Sequence, residues 1–227
     1  MIGGEFVGSK DRSYQVVTLV ALVVAVLGLS VGFAAFSNTL TIKSSAEVTP
    51  SQNQFNIDLS GAASSEVTTI TPTLSPATGG PSGDNATVDN TGTNSAVIQN
   101  LHATFTEPGQ SVTYTLYARN VGQYLAYLNS INFGNATGGS SFKVCTAGEG
   151  TTATLVSSAC EGISLTLSVG SLTDITANQT GISGHSLAAG GNEEITVTIA
   201  YAAGSARADG DFTVAFGDIV LTYDSVD

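Results

Sequence analysis

Basic side chains are scarce in this chain. Six Lys and Arg stand against 18 Asp and Glu, giving a net charge of −12 and a pI of ≈ 4.2. Phosphates of nucleic acid need cationic partners, and so does electrostatic attachment to anionic lipid. The balance rules against both. Charged residues of either sign make up only 11% of the chain. The only histidines are His102 and His185, and the only cysteines are Cys145 and Cys160. Neither histidine stands at ligand spacing from the cysteine pair, so no metal site and no cofactor is expected. There is no Gly-x-Ser-x-Gly elbow and no HExxH, and no enzymatic activity is expected. Beyond residue 36 no 3.6-residue period is sustained, which argues against helices in the body of the chain.

One long apolar run is present. Residues 16–36 (VVTLVALVVAVLGLSVGFAAF) carry no charge. A helix of that length covers about 30 Å, the hydrocarbon thickness of a bilayer. Lys10 and Arg12 precede the run and only Lys43 follows it closely. Basic residues stay on the cytoplasmic side, which places residues 1–15 inside and residues 37–227 outside. The run serves either as a retained membrane anchor or as an export signal cut near Ala34, since Gly32-Phe33-Ala34 puts small residues where a signal peptidase reads. Either way the long part is exported to the cell surface or beyond. In that setting Cys145 and Cys160, 15 positions apart, are expected to form a disulfide.

The exported part is rich in Thr, Ser, Gly, Ala and Val, a composition that favours strands and turns. Asn38, Leu40, Ile42, then Ala46 and Val48 lie on an alternating strand that emerges from the apolar run. Further strands are expected at Gln54–Ser60, at Glu66–Leu74 (an edge strand, because of Pro72), at Ala96–Phe105, and at Ser111–Asn120. Val121-Gly122 would turn that last strand into a hairpin with Tyr124–Phe133. Phe142–Ala147, Gly162–Val169, Ser171–Ala177, Glu193–Tyr201 and Asp211–Asp224 complete the set, the last with a bulge-like phase shift at Gly217-Asp218. Pro76, Gly79, Gly80, Pro81 and Gly83 mark 75–94 as a flexible loop. The fold class expected is all-β: an immunoglobulin-like or jelly-roll sandwich over 37–227, preceded by one helix.

The stretch Pro108-Gly-Gln-Ser-Val-Thr-Tyr-Thr-Leu-Tyr-Ala-Arg-Asn-Val-Gly122 resembles a pattern of bacterial surface immunoglobulin-like sandwiches, in which Pro-Gly opens a strand and Asn-x-Gly closes it. The stretch Gly32-Phe-Ala-Ala-Phe-Ser-Asn-Thr-Leu-Thr-Ile42 is similar to the start of exported Gram-positive proteins related to the biofilm fibre protein TasA and to camelysin. Asn38 stands where that family more typically has an acid, and Phe55-Asn-Ile-Asp-Leu59 only approximates its next strand. The resemblance implies a subunit that assembles into fibres by lending its N-terminal strand to a neighbour. The expected partners are therefore the membrane and other copies of this chain.

Several other features bear on function. Asp209-Gly-Asp211 and the Asp84–Asp89 stretch offer oxygen ligands, but no Glu closes a calcium loop. Glu193-Glu194 reads as a solvated turn, and His102 and His185 as strand-face or turn residues. Asn85, Asn135 and Asn178 head sequon triplets and read as surface turns. Tyr114, Tyr117, Tyr124, Tyr127, Phe105 and Phe133 read mainly as core, with an exposed subset able to stack on sugars. That subset, with loop 75–94, is the basis of the alternative: a membrane-anchored adhesin for a glycan or host protein.

Overall fold

The computed structural model describes residues 16–24, 55–92, 94–137 and 139–225. The chain divides into two units, residues 1–48 and 49–227. In the first, residues 16–24 form a helix, α1, with exposed side chains. Among the described residues no helix is long and apolar enough to cross a membrane. The rest of the 16–36 run lies outside the described residues, and so does the strand expected at Asn38, Leu40, Ile42, Ala46 and Val48.

The second unit is built from short antiparallel strands. In chain order they are β1 (Ile57–Ser60), β2 (Thr69–Ile70), β3 (Thr73–Ser75), β4 (Ser82–Gly83), β5 (Ala86–Asp89) and β6 (Ser95–Gln99). Next come β7 (His102–Phe105), β8 (Ser111–Asn120), β9 (Ala126–Phe133) and β10 (Lys143–Ala147), then a helix, α2 (Ala153–Glu161). The chain closes with β11 (Ile163–Val169), β12 (Leu172–Ile175), β13 (Gln179–Thr180), β14 (Ser186–Leu187), β15 (Asn192–Tyr201), β16 (Phe212–Phe216) and β17 (Ile219–Ser225).

One sheet runs β1-β8-β15-β11-β12, with β3 beside β1 on the same flank of β8. A second runs β13-β9-β17-β6-β5-β2, with β14 beside β13 on β9, and a third runs β10-β16-β7-β4. The third sheet repeats the order of the second: β10, β16, β7 and β4 are the chain neighbours of β9, β17, β6 and β5. The two are halves of one layer, broken along a line through Asp84-Asn85, Asn100-Leu101 and Gly217-Asp218. Gly217 is needed there, because a Cβ on it would lie 2.1 Å from the Gly134 carbonyl. Asn100 takes a left-handed φ of 61° and donates from Nδ2 to the Asn85 carbonyl at 2.7 Å. The phase shift legible at Gly217-Asp218 is thus the step from one half-sheet to the other.

Alternation decides which residues meet inside. Val112, Tyr114, Leu116 and Ala118 of β8, Ile195, Val197, Ile199 and Tyr201 of β15, and Phe212, Val214, Phe216, Ile219, Leu221 and Tyr223 of β16–β17 are all buried. They join one core shared by all three sheets, as in a β-sandwich. Edge-on contacts of Phe105 with Tyr201 and of Tyr201 with Phe212, at 5.9 and 5.4 Å between centroids, fill one end of it.

Five expectations need correction. The segment 75–94 is not a loop throughout: it carries β4 and β5, with Ala86 and Val88 buried. Burial on one side by β6 outweighs its turn-rich composition. β8 and β9 do not pair as a hairpin. β8 lies in the first sheet and β9 in the second, so 121–125 arches between layers. Ala96–Phe105 is two strands rather than one, broken at Asn100-Leu101, and Glu66–Leu74 splits at Pro72 into edge strands of different sheets. Finally, 153–161 is a helix, with Val156 and Ala159 as its buried face.

Candidate functional site

The disulfide expected between Cys145 and Cys160 is present, with Cα atoms 6.1 Å apart. It ties β10 to α2. The helix is short and has no acid in its first turn or base in its last. Its ends are satisfied from elsewhere. The Thr152 backbone N–H and hydroxyl both donate to the Asp209 carboxylate, at 2.8 and 2.5 Å. Lys143 Nζ donates to the carbonyls of Cys160 and Ile163, both at 2.7 Å. Burial lowers the Lys143 pKa, with Glu161 opposing. A pocket of ≈ 380 Å³ lies over this unit, with Lys143, Ser157 and Glu161 among its polar lining.

The Asp209 carboxylate, weighed above as a calcium ligand, thus acts as a remote cap for α2. Its pKa is held below the ordinary 3.8, first by the Thr152 hydroxyl and then by the Thr152 N–H. A depressed carboxyl adds stability above its unfolded value and loses it as pH falls through the lower folded value. The protection factors of the α2 amides, measured against the intrinsic rate at each pH, should therefore fall as pH drops below about 4 in the native chain. Asp209→Ala should show the lower protection factors already at neutral pH, with little further change in them on acidification.

Among the described residues no cluster of three or more His, Cys, Asp or Glu is placed to hold a metal. The two histidines differ. His102 is half-buried on β7, 3.4 Å from the exposed Asp84 carboxylate. His185 is 9% exposed and its Nε2 lies 2.5 Å from Glu193 Oε2, itself on a side chain only 12% exposed. The Tyr223 hydroxyl donates to the other Glu193 oxygen at 3.1 Å. Burial, then the Glu193 charge, pushes the Tyr223 pKa well above its ordinary value. Gly170, at φ 51°, leaves room for this group, since a Cβ there would lie 2.8 Å from Glu193 Oε2. Glu193 is therefore not a solvated turn residue. Sequence reasoning missed the cluster because its three members lie on separate elements: the loop before β14, β15 and β17.

The strand edges are the other functional surface. The outer edge of β1 is blocked by Asn90, whose side chain accepts from the Leu59 N–H at 2.8 Å and donates to the Leu59 carbonyl at 2.9 Å. β2 and β4 span two residues each. β12 is four residues long and carries Asp174 at φ 57°. β10 is tied to α2. The eight-residue β9 is covered on its outer side by β13 opposite Ser130–Ile131 and β14 opposite Ala126–Tyr127, with single bonds from the same segment to Leu128, Asn129 and Phe133.

At one end of the sandwich, Asn120 joins two uncharged segments, 121–125 and the end of β14. Its Nδ2 donates to the carbonyls of Tyr124 at 2.7 Å and Leu187 at 2.9 Å, and its Oδ1 accepts from the Gly122 N–H at 3.1 Å. Asn56 accepts from the N–H groups of Val121 and Gly122. Val121, Tyr124 and Leu125 stand exposed on this end. Tyr114 and Phe105 are core, as expected, while Tyr117, Tyr127 and Phe133 are half-buried. Comparison with known proteins finds no matching family model, no matching curated protein and no matching solved structure.

Proposed function

We propose that this chain is a non-enzymatic, exported surface protein: a subunit of a pilus-like or biofilm fibre that assembles by lending its N-terminal strand to a neighbouring copy. The apolar run 16–36 holds it in the cell membrane with its N-terminus cytoplasmic, or directs export and is cut near Ala34. The observation that carries the reading is in the sequence: Leu40, Ile42, Ala46 and Val48 alternate with polar residues directly behind the apolar run 16–36. A segment of that pattern can add to the sheet edge of a neighbouring copy. The disulfide fits an oxidising compartment, and the net charge of −12 keeps unassembled copies apart in solution. Deleting residues 37–49 should abolish filaments seen by electron microscopy while leaving the β-sheet circular dichroism of the sandwich intact. Filaments that persist in the deleted chain would sink the reading. Intact mass of the native protein reports whether residues 1–34 are kept.

The alternative is an adhesin for a glycan or host protein. It is favoured by the exposed Val121, Tyr124 and Leu125, with Tyr124 at 46% exposure on an uncharged loop. On that reading a monomer binds on a glycan array, and Tyr124→Ala removes the signal.

A further inference from the structure

We infer that the acceptor for the donated strand is the outer edge of β9, and that segment 178–187 is its removable occupant. This rests on the strand-donation reading above and names the surface that reading needs. The other edges are too short, irregular or blocked, as at β1, where Asn90 takes both backbone groups of Leu59. β9 offers eight residues, about 26 Å of strand, and a donated strand of Asn38–Val48 is long enough to cover it.

The present occupant is irregular along its length. It pairs with β9 in two separate two-residue strands, joined by single bonds from the Ile182 N–H to the Asn129 carbonyl and from the Leu128 N–H to the His185 carbonyl, both at 3.1 Å, and between the strands it carries Gly181 and Gly184 at positive φ. Most of its side chains are exposed. Only His185 and Leu187 are buried, with Ile182 partly so. One inward position is therefore filled by a polar ring, where a regular strand would place an apolar side chain. The donor carries Leu40, Ile42, Ala46 and Val48 on one alternating face, with the small Ser44 between them. The replacement exchanges a broken ladder for a continuous one and a buried imidazole for aliphatic burial.

Electrostatics suits the same edge. From Asn120 to Phe142 the chain has no charged residue, so β9 itself brings no acid to the contact, and the Asp224 carboxylate beside it already accepts from Asn129 Nδ2 at 2.6 Å. The His185–Glu193 contact helps to keep the edge closed in an isolated copy, together with Asn120 Nδ2 on the Leu187 carbonyl at 2.9 Å and Asn178 Oδ1 on the Phe133 N–H at 2.8 Å. It pins the occupant to β15 of the opposite sheet, while Tyr223 on β17 holds the same carboxylate.

A disulfide across the occupant tests this. Thr180 and Ser130 face each other in the register, and opposed positions in an antiparallel pair suit a disulfide. The full chain is compared in three forms: native, oxidised Thr180→Cys with Ser130→Cys, and His185→Ala. A synthetic peptide of residues 37–49 is added, and amide exchange and filaments are followed. In the native chain the peptide should speed exchange of 178–187 by ~10-fold or more while 126–133 stays protected. The locked chain should show neither this response nor filaments, and His185→Ala should assemble faster than the native chain. If the first lock does not form, Ser186→Cys with Tyr127→Cys places a second one at the other register pair. A locked chain that assembles like the native one overturns the assignment. So does a peptide that protects a different edge, such as β2 or β12, although strand donation itself would then survive. A native chain that neither assembles nor responds to the peptide at any edge overturns both.

Discussion

Replacing both Cys145 and Cys160 with alanine should destabilise the sandwich by about 3 kcal/mol, the chain-entropy value for a closed loop of this length. For a domain of this size that lowers Tm by roughly 6–12 °C. The loss should be uneven. α2 has nine residues, too few to be stable alone, and its contacts with the sandwich are the buried Val156 and Ala159 plus the disulfide, the Asp209 cap and the Lys143 bonds. Without the bridge, exchange in α2 should approach that of an unfolded peptide, while β8 and β15 in the first sheet stay protected. Urea denaturation with exchange read by mass spectrometry separates the two effects. A midpoint unchanged by the double substitution would mean that the bridge is incidental.

Asn120→Ala should be of comparable size, about 2–4 kcal/mol, and for a different reason. The side chain is 1% exposed and satisfies two carbonyls and one N–H in the loops it joins. Its removal strands the Tyr124 and Leu187 carbonyls with no replacement donor. Leu187 belongs to β14, so the cost falls on the arch 121–125 and on the last turn of the β9 occupant together. Asn120→Asp removes the donor but keeps the acceptor, and should cost nearly as much. A loss below about 0.5 kcal/mol in either variant would show that the arch finds water instead.

Much of the sandwich was legible because its strands obey a period of two. β8, β15 and β16–β17 bury the residues that alternation selects. The Asn-x-Gly ending at Asn120 was also legible as a turn, since Asn120 Oδ1 accepts from Gly122 two residues on. Where that turn leads was not legible. A tight Asn-x-Gly serves a hairpin or an arch alike, and the choice is made by partners far away in the chain, β15 and β17. Helix α2 is the clearer miss. Val156 and Ala159 lie three apart between Thr152 and Gly162, a helical spacing between turn residues. The helix is one apolar stripe wide, though, and it is stabilised by Asp209, Lys143 and Cys145 rather than by its own sequence.

The candidate site shows the same limit. The disulfide followed from count and compartment alone. The proposed donor residues Asn38, Leu40, Ile42, Ala46 and Val48 rest on alternation alone, and they lie outside the described residues. The proposed acceptor edge has no signature in the sequence. Nothing in Glu193-Glu194 or in Ser-Gly-His-Ser-Leu says that a buried carboxylate and imidazole will meet at 2.5 Å across two sheets. An uncharged stretch such as 120–142 is a visible feature, but its meaning comes from the strand edge it forms.

The most direct measurement is cross-linking of assembled protein made from equal parts of isotopically heavy and light chain, with a photoreactive residue in place of Ile42. Strand donation to the β9 edge predicts cross-links from position 42 to residues 126–133, about half of them joining a heavy chain to a light one. Cross-links confined to a single chain, or to monomer with no assembly formed, would contradict it.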